Sequence, residues 1–183
     1  MNKQPHRREA GVTLIELMVT LTVLIVLLTV GVSNLTTMVV RNKRTSEVNT
    51  MVGHLSFARA EAVLRATDIT VCPVDADDPG TCSSSAWADG YAVVDEDAGE
   101  ALRYQTPADS IAITYGARTK VTFDDAGSAN GTNGTFTFCD ATDNAADDAS
   151  RRDGVIPPVQ LVISRTGRVL LSEGNDIACG TSQ

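Results

Sequence analysis

The pattern of apolar and polar positions divides the chain into two halves. From Val12 to Val32 it reads VTLIELMVTLTVLIVLLTVGV, where Glu16 is the one ionisable residue and the remaining polar side chains are threonines, which can bond back to their own helix. At about 1.5 Å rise per residue the run is about 30 Å long, which predicts a transmembrane helix. A cleaved secretory signal would have a shorter apolar core ending in a small-residue site, whereas this run continues into helix-like sequence. Beyond it, Val48, Met51, Val52, Leu55, Ala58, Ala62 and Val63 recur at three- and four-residue steps, with Arg44, Glu47, Arg59 and Arg65 at other positions. That spacing predicts an amphipathic helix reaching about Ala66, its apolar stripe packed on its own domain. Ser33 and Asn34, following Gly31, mark a weak point between the two halves.

After Thr67 the period changes. Runs rich in branched residues, Ile69 to Val74, Tyr91 to Asp95, Ile111 to Tyr115, Lys120 to Phe123, Thr135 to Cys139, Val159 to Ser164 and Arg168 to Ser172, are separated by Gly, Asp, Asn and Ser and read as strands. Arg165, Thr166 and Gly167 join the last two as a hairpin. Asn130 to Gly134 reads as a loop, and Asp140 to Asp153, acidic and Ala-rich without apolar periodicity, as a surface loop. The fold class expected is α+β, a long N-terminal helix packed on a β-rich domain.

Composition narrows the function. A chain of 183 residues has room for one ordinary domain and an anchor, and 4% aromatic content suits an exposed, turn-rich domain better than a deep cofactor pocket. Fifteen basic against 23 acidic residues give a formal net charge of −8. The charge is uneven, because Lys3, Arg7 and Arg8 precede the apolar run and the acidic excess follows it. The positive-inside rule keeps the basic end cytoplasmic and exports the rest. No Ser, His and Asp set has a recognisable catalytic spacing, and His54 lies on the expected helix, so no enzyme activity and no cofactor are expected. The four cysteines lack the paired spacing of a zinc ribbon, and the two histidines are distant from them in sequence, so no metal site is expected.

The basic leader, a small residue and an apolar helix interrupted once near its start occur together at Gly11 to Leu21, GVTLIELMVTL. This junction resembles the type IV prepilin signal, with Val12 in the first mature position, where Phe is usual, and Glu16 in the fifth. The resemblance implies a prepilin peptidase that cuts between Gly11 and Val12 and methylates Val12. The implied organisation is a leader over 1–11, a transmembrane helix over 12–33, an amphipathic helix over 34–66 and a β-rich periplasmic domain over 67–183. Independently of the family, a carboxylate inside a membrane helix costs several kcal/mol unless paired or neutralised. After cleavage the ammonium of Val12 would lie about 6 Å along the helix from Glu16. A neighbouring subunit's ammonium could approach as closely, so pairing there would set axial register. Snorkelling to headgroups is the competing role.

Cys72-Pro73, Cys82 with Trp87 and Gly90-Tyr91, the segment Phe136 to Asp140, and Ser164 to Val169 together resemble the FimT/GspH group of minor pilins and pseudopilins. The resemblance implies a single-pass inner-membrane subunit of a type IV pilus or a type II secretion pseudopilus, with other pilin or pseudopilin subunits as partners. It departs from the pilin pattern at Ser33, where a Pro commonly follows the membrane half. The cysteine pairs and the Phe136 to Asp140 segment lean towards the pilus. Cys72 pairs most economically with Cys82, and Cys139 with Cys179, in the oxidising compartment beyond the membrane; buried free thiols are the alternative, and one sequence does not fix connectivity. Some FimT-type minor pilins take up DNA through a basic C-terminal segment. Arg165 and Arg168 match part of it, but Leu170, Leu171 and Ser172 follow where further arginines would strengthen phosphate binding. DNA contact is therefore the second expectation, behind a structural subunit.

Overall fold

A helix, α1, runs from Leu14 to Arg65, and its backbone stays helical through Gly31, Ser33 and Asn34. The computed structural model describes residues 11–83, 86–116, 118–140, 158–173 and 179, with the side chains of 29–37 and 173 outside that description. The basic leader residues and most of the acidic stretch from Asp140 to Asp153 therefore lie outside the described residues. The chain forms two units, residues 1–38 and 39–183.

From Leu14 to Leu28 α1 carries apolar side chains on every side, with Glu16, Thr20 and Thr22 as its polar residues. The large apolar side chains from Val12 to Leu28 are between 48% and 78% exposed. Thr20 and Thr22 donate their hydroxyls to the carbonyls of Leu17 and Val19 at 2.9 and 2.8 Å, so they add no unpaired donor to that surface. Among the described residues no helix is long and apolar enough to cross a membrane; residues 29–32 of the apolar run have side chains outside that set.

In the second unit α1 buries Val48, Met51, Leu55, Ala58 and Ala62, while Val52 is half-buried and Val63 is exposed. The stripe also includes Arg44, Glu47 and His54, all buried. This corrects the placing of Arg44 and Glu47 off the packed face, since 44, 47, 51, 54 and 58 follow the same three- and four-residue steps. The helix ends where Ala66 takes a positive φ of 52° and Thr67 N donates to Ala62 O at 3.3 Å, the pattern of a Schellman cap.

Among the described residues nine strands follow: β1 Ile69–Asp75, β2 Asp78–Cys82, β3 Tyr91–Asp95, β4 Glu100–Gln105, β5 Ile111–Tyr115, β6 Val121–Phe123, β7 Thr135–Asp140, β8 Val159–Ile163 and β9 Val169–Glu173. They form two antiparallel sheets, one in the order β2-β1-β3-β4 with β6 also on β1, the other in the order β5-β7-β8-β9. Inner-face residues Ile69, Val71, Tyr91, Val93 and Phe123 of the first sheet share one core with Ile113, Phe136, Phe138 and Leu161 of the second and with the helix stripe. A smaller core of Cys72, Val74, Ala92 and Val94 fills the opposite face of the first sheet. There β2 comes so close to the start of β4 that a Cβ on Gly80 would sit 2.8 Å from the Gly99 carbonyl oxygen.

Two strands were not anticipated. β2, DPGTC, carries Pro and Gly and reads as a turn, and β4, EALRYQ, lacks the branched residues that signal strands. Both lie at the ends of their sheet's order, where pairing with one neighbour tolerates weak propensity.

The β8–β9 connection is a type I turn with a Gly bulge. Gly167 N donates to Ser164 O and Ser164 N to Arg168 O, both at 2.9 Å, with Gly167 at φ 72°. A Cβ on Gly167 would collide with the Gly127 carbonyl oxygen and lie 3.2 Å from Arg59 Nε. Gly167→Ala is therefore expected to cost about 1–3 kcal/mol from the left-handed backbone, and more from the collision. Urea unfolding of the full-length chain checks it; an unchanged midpoint would contradict this packing.

Candidate functional site

At the N-terminal end, Gly11, Val12 and Thr13 precede the first helical turn. Thr13 O accepts the bond from Leu17 N at 3.2 Å, and Thr13 Oγ1 accepts one from Glu16 N at 3.3 Å. Thr13 is thus the N-cap and Glu16 the third helical residue, the T-x-x-E spacing of a capping box. A carboxylate in the first turn also faces the positive end of the helix dipole. This capping role was not anticipated, although the spacing Thr13 to Glu16 would have revealed it. Val12 is 71% exposed, and a Cβ on Gly11 would meet nothing within 4 Å. Among the described residues nothing packs against Gly11.

The cysteines lie far from that end in sequence. Cys72 of β1 and Cys82 of β2 are joined, with Cα atoms 5.6 Å apart, and Cys139 of β7 is joined to Cys179 at 6.0 Å. The first bridge fastens β2 beside the smaller core, and the second ties the chain beyond β9 to the middle of the second sheet.

Arg165 and Arg168 stand at the β8–β9 turn, both exposed. This turn is held by contacts that the sequence did not disclose. Arg59 Nε donates to Gly127 O at 2.9 Å, Ala129 N donates to Arg165 O at 3.0 Å, and Asp124 Oδ1 accepts from Ser128 N at 2.7 Å. Beside the turn, Val52, Leu55, Ser56 and Arg59 of α1 and Gly167, Arg168 and Val169 line a groove of about 410 Å³. Two of the seven lining residues are arginines and none is acidic, in a chain of net charge −8.

Elsewhere on α1, Glu47 Oε1 accepts from Ala108 N at 3.0 Å, tying the helix to the loop before β5. Glu47 Oε2, His54 Nδ1 and Tyr91 Oη are buried without a hydrogen-bond partner among the described residues. Burial, then the nearby Arg103 charge, lowers the His54 pKa, and burial, then Glu47, raises that of Tyr91. Arg103 itself lies over the Phe57 ring at 3.7 Å. The arrangement is a packed polar seam between helix and sheet.

Residues 47–167, from the packed half of α1 to the β8–β9 turn, match the family described as type II transport protein GspH. The chain belongs to the GspH family. Residues 6–32 of this GspH-family chain also match the prokaryotic N-terminal methylation motif, which spans the Gly11-Val12 junction, Thr13 and Glu16. Among solved structures, the chain is similar to the Pseudomonas aeruginosa type IV minor pilin FimU, with 23% identity over 72% of this chain and 90% of that one and a TM-score of 0.52. A second crystal form of FimU aligns at 22% identity over 72% of this chain and 91% of that one, with a TM-score of 0.47. Among curated proteins none matches this chain. The FimU likeness shows the pilin-like α+β fold, and the two family matches identify a minor pilin or pseudopilin, a structural subunit.

Proposed function

We propose that this GspH-family subunit is cut between Gly11 and Val12 by a prepilin peptidase, methylated on Val12, and held in the inner membrane by residues 12–33, with residues 67–183 in the periplasm. It then packs into a type IV pilus or type II secretion pseudopilus beside other pilin-like subunits. The observation that carries this reading is the first helical unit. Its described side chains are apolar on every side and exposed, Glu16 is its one ionisable group, and the methylation motif spans its start. A helix apolar all round has no stable free state in water and needs lipid or other helices around it. Glu16 is costly in such surroundings unless it is neutralised or paired, and a methylated N-terminal ammonium from the adjacent subunit would pair it. The chain's own fold provides the cap at Thr13 and leaves the junction exposed to a peptidase.

Mass spectrometry of the N-terminal peptide from membrane fractions tests this. The wild type is expected to begin at methylated Val12, and Gly11→Ala to accumulate as full-length precursor. Because a Cβ at position 11 meets no atom of the described residues, retained precursor would report the peptidase rather than misfolding. A wild-type protein that keeps residues 1–11 would sink the processing assignment.

A second reading, DNA contact through Arg165 and Arg168, is motivated by the exposure of both at one turn beside Arg59. Phosphate binding grows with the number of cations brought to the backbone, and three arginines on a chain of net charge −8 make a small footprint. The structural-subunit reading therefore ranks first.

A further inference from the structure

The second sheet ends at β9, and one side of β9 has no strand neighbour among the described residues. The hairpin fixes which backbone groups lie on that side. Since Ser164 N bonds Arg168 O, the antiparallel alternation bonds Leu170 to Val162 and Ser172 to Gln160, and turns the N–H and C=O of Val169 and Leu171 to the open edge. The side chains of those two residues stand on the core-facing side, opposite Ile163 and Leu161, which are 1% and 0% exposed. Leu171 nevertheless remains 55% exposed, an inward-row leucine that nothing described covers. The groove of Val52, Leu55, Ser56 and Arg59 on α1 runs beside this edge.

An uncovered edge with apolar side chains is a template for strand addition, and native proteins blunt such edges with charge, proline or a bulge. Along β9 the stretch from Val169 to Ser172 has none of these, the charges Arg168 and Glu173 and the Gly167 bulge standing only at its two ends. A helix lying beside an open edge strand also provides a trough in which an added strand can bury alternate side chains.

We propose that an extended, acidic segment of another pilin-like subunit adds to β9 as a further strand and lies in the groove between β9 and α1. Its backbone pairs with Val169 and Leu171. Its apolar side chains cover Val52, Leu55, Val169 and Leu171, and its carboxylates meet Arg168 and Arg59. The acidic character follows from the lining, which holds two arginines and no carboxylate. Arg59 is fixed at the groove wall by its bond to Gly127 O, so its guanidinium is ordered before the partner arrives. The source of the strand rests on the filament-subunit reading above.

The experiment uses the full-length chain in its native membranes with a benzoylphenylalanine photocrosslinker at Ser56, an exposed groove residue. The expected product maps by mass spectrometry to an extended segment of a pilin-like subunit bearing carboxylates. Leu171→Pro removes an edge-facing N–H and the leucine side chain that the added strand would cover, and should lower its yield about tenfold or more while leaving the β8 pairing intact. Arg168→Glu, at a solvent-exposed site, should lower the yield similarly without moving the melting temperature, and decides the matter if the proline variant is destabilised. A yield unchanged by Arg168→Glu, a product with nucleic acid or lipid alone, or no product overturns the proposal. Absence of the wild type from every sheared-filament fraction would remove the filament reading, whereas the Ser56 product decides the groove separately.

Discussion

Glu16→Val subunits are expected to insert and be cleaved like the wild type, yet to fall about tenfold or more in sheared filaments or in complexes with partner subunits. Removing a carboxylate makes an apolar helix easier to embed, so anchoring should not suffer. Nor should the helix unravel, because Thr13 Oγ1 caps it through the backbone N–H of residue 16, which Val retains. The dipole contribution of a first-turn carboxylate is about 0.3–1 kcal/mol and is too small to abolish assembly. What Val removes is the one charge in the run able to hold a neighbour's ammonium. Asp at the same position keeps the charge with shorter reach and should restore incorporation in part. Wild-type incorporation of the Val variant would exclude the pairing mechanism and favour snorkelling, while leaving the anchor assignment in place.

Loss of the disulfides is the second large effect expected, and the two bridges should contribute unequally. The bridges span 10 residues for Cys72–Cys82 and 40 for Cys139–Cys179. Chain-entropy scaling gives about 2.7 kcal/mol for the first and about 4 kcal/mol for the second. Their sum is comparable with the whole stability of an ordinary domain, about 5–15 kcal/mol. Paired Ser substitutions at Cys139 and Cys179 should thus lower the urea midpoint of the full-length chain more than those at Cys72 and Cys82. Reduction of both should leave it marginally folded. Equal midpoints for reduced and oxidised protein, or thiols that alkylate without denaturant, would overturn this ordering.

The parts of the fold that were legible are those in which local pattern and tertiary environment agree. The helical stripe from Val48 to Ala62 and the strands Tyr91–Asp95 and Ile111–Tyr115 show apolar periodicity or branched residues because they face a core on at least one side. β2 and β4 escaped because register with a neighbour, rather than propensity, makes them strands. At the candidate site, Gly11, Val12 and Glu16 stand out because one charge in an apolar run is a local signal. The groove does not, since Arg59, Gly127 and Gly167 meet only through packing across long stretches of chain. Arg44 and Glu47 were set on the wrong face because polarity was given more weight than their spacing. The buried seam shows that a helix can place charged residues against its domain when backbone donors such as Ala108 N receive them.

Trp87, the one tryptophan of the chain, is 6% exposed between β2 and β3. Its ring lies 6.0 Å from Tyr91 of the first sheet, and 5.8 Å and 4.7 Å from Tyr115 and Phe136 of the second. The indole therefore works as a rivet through both sheets, and neither can peel away without moving it into water. The two sheets are expected to come apart together, and the indole's emission should follow that event with no added label.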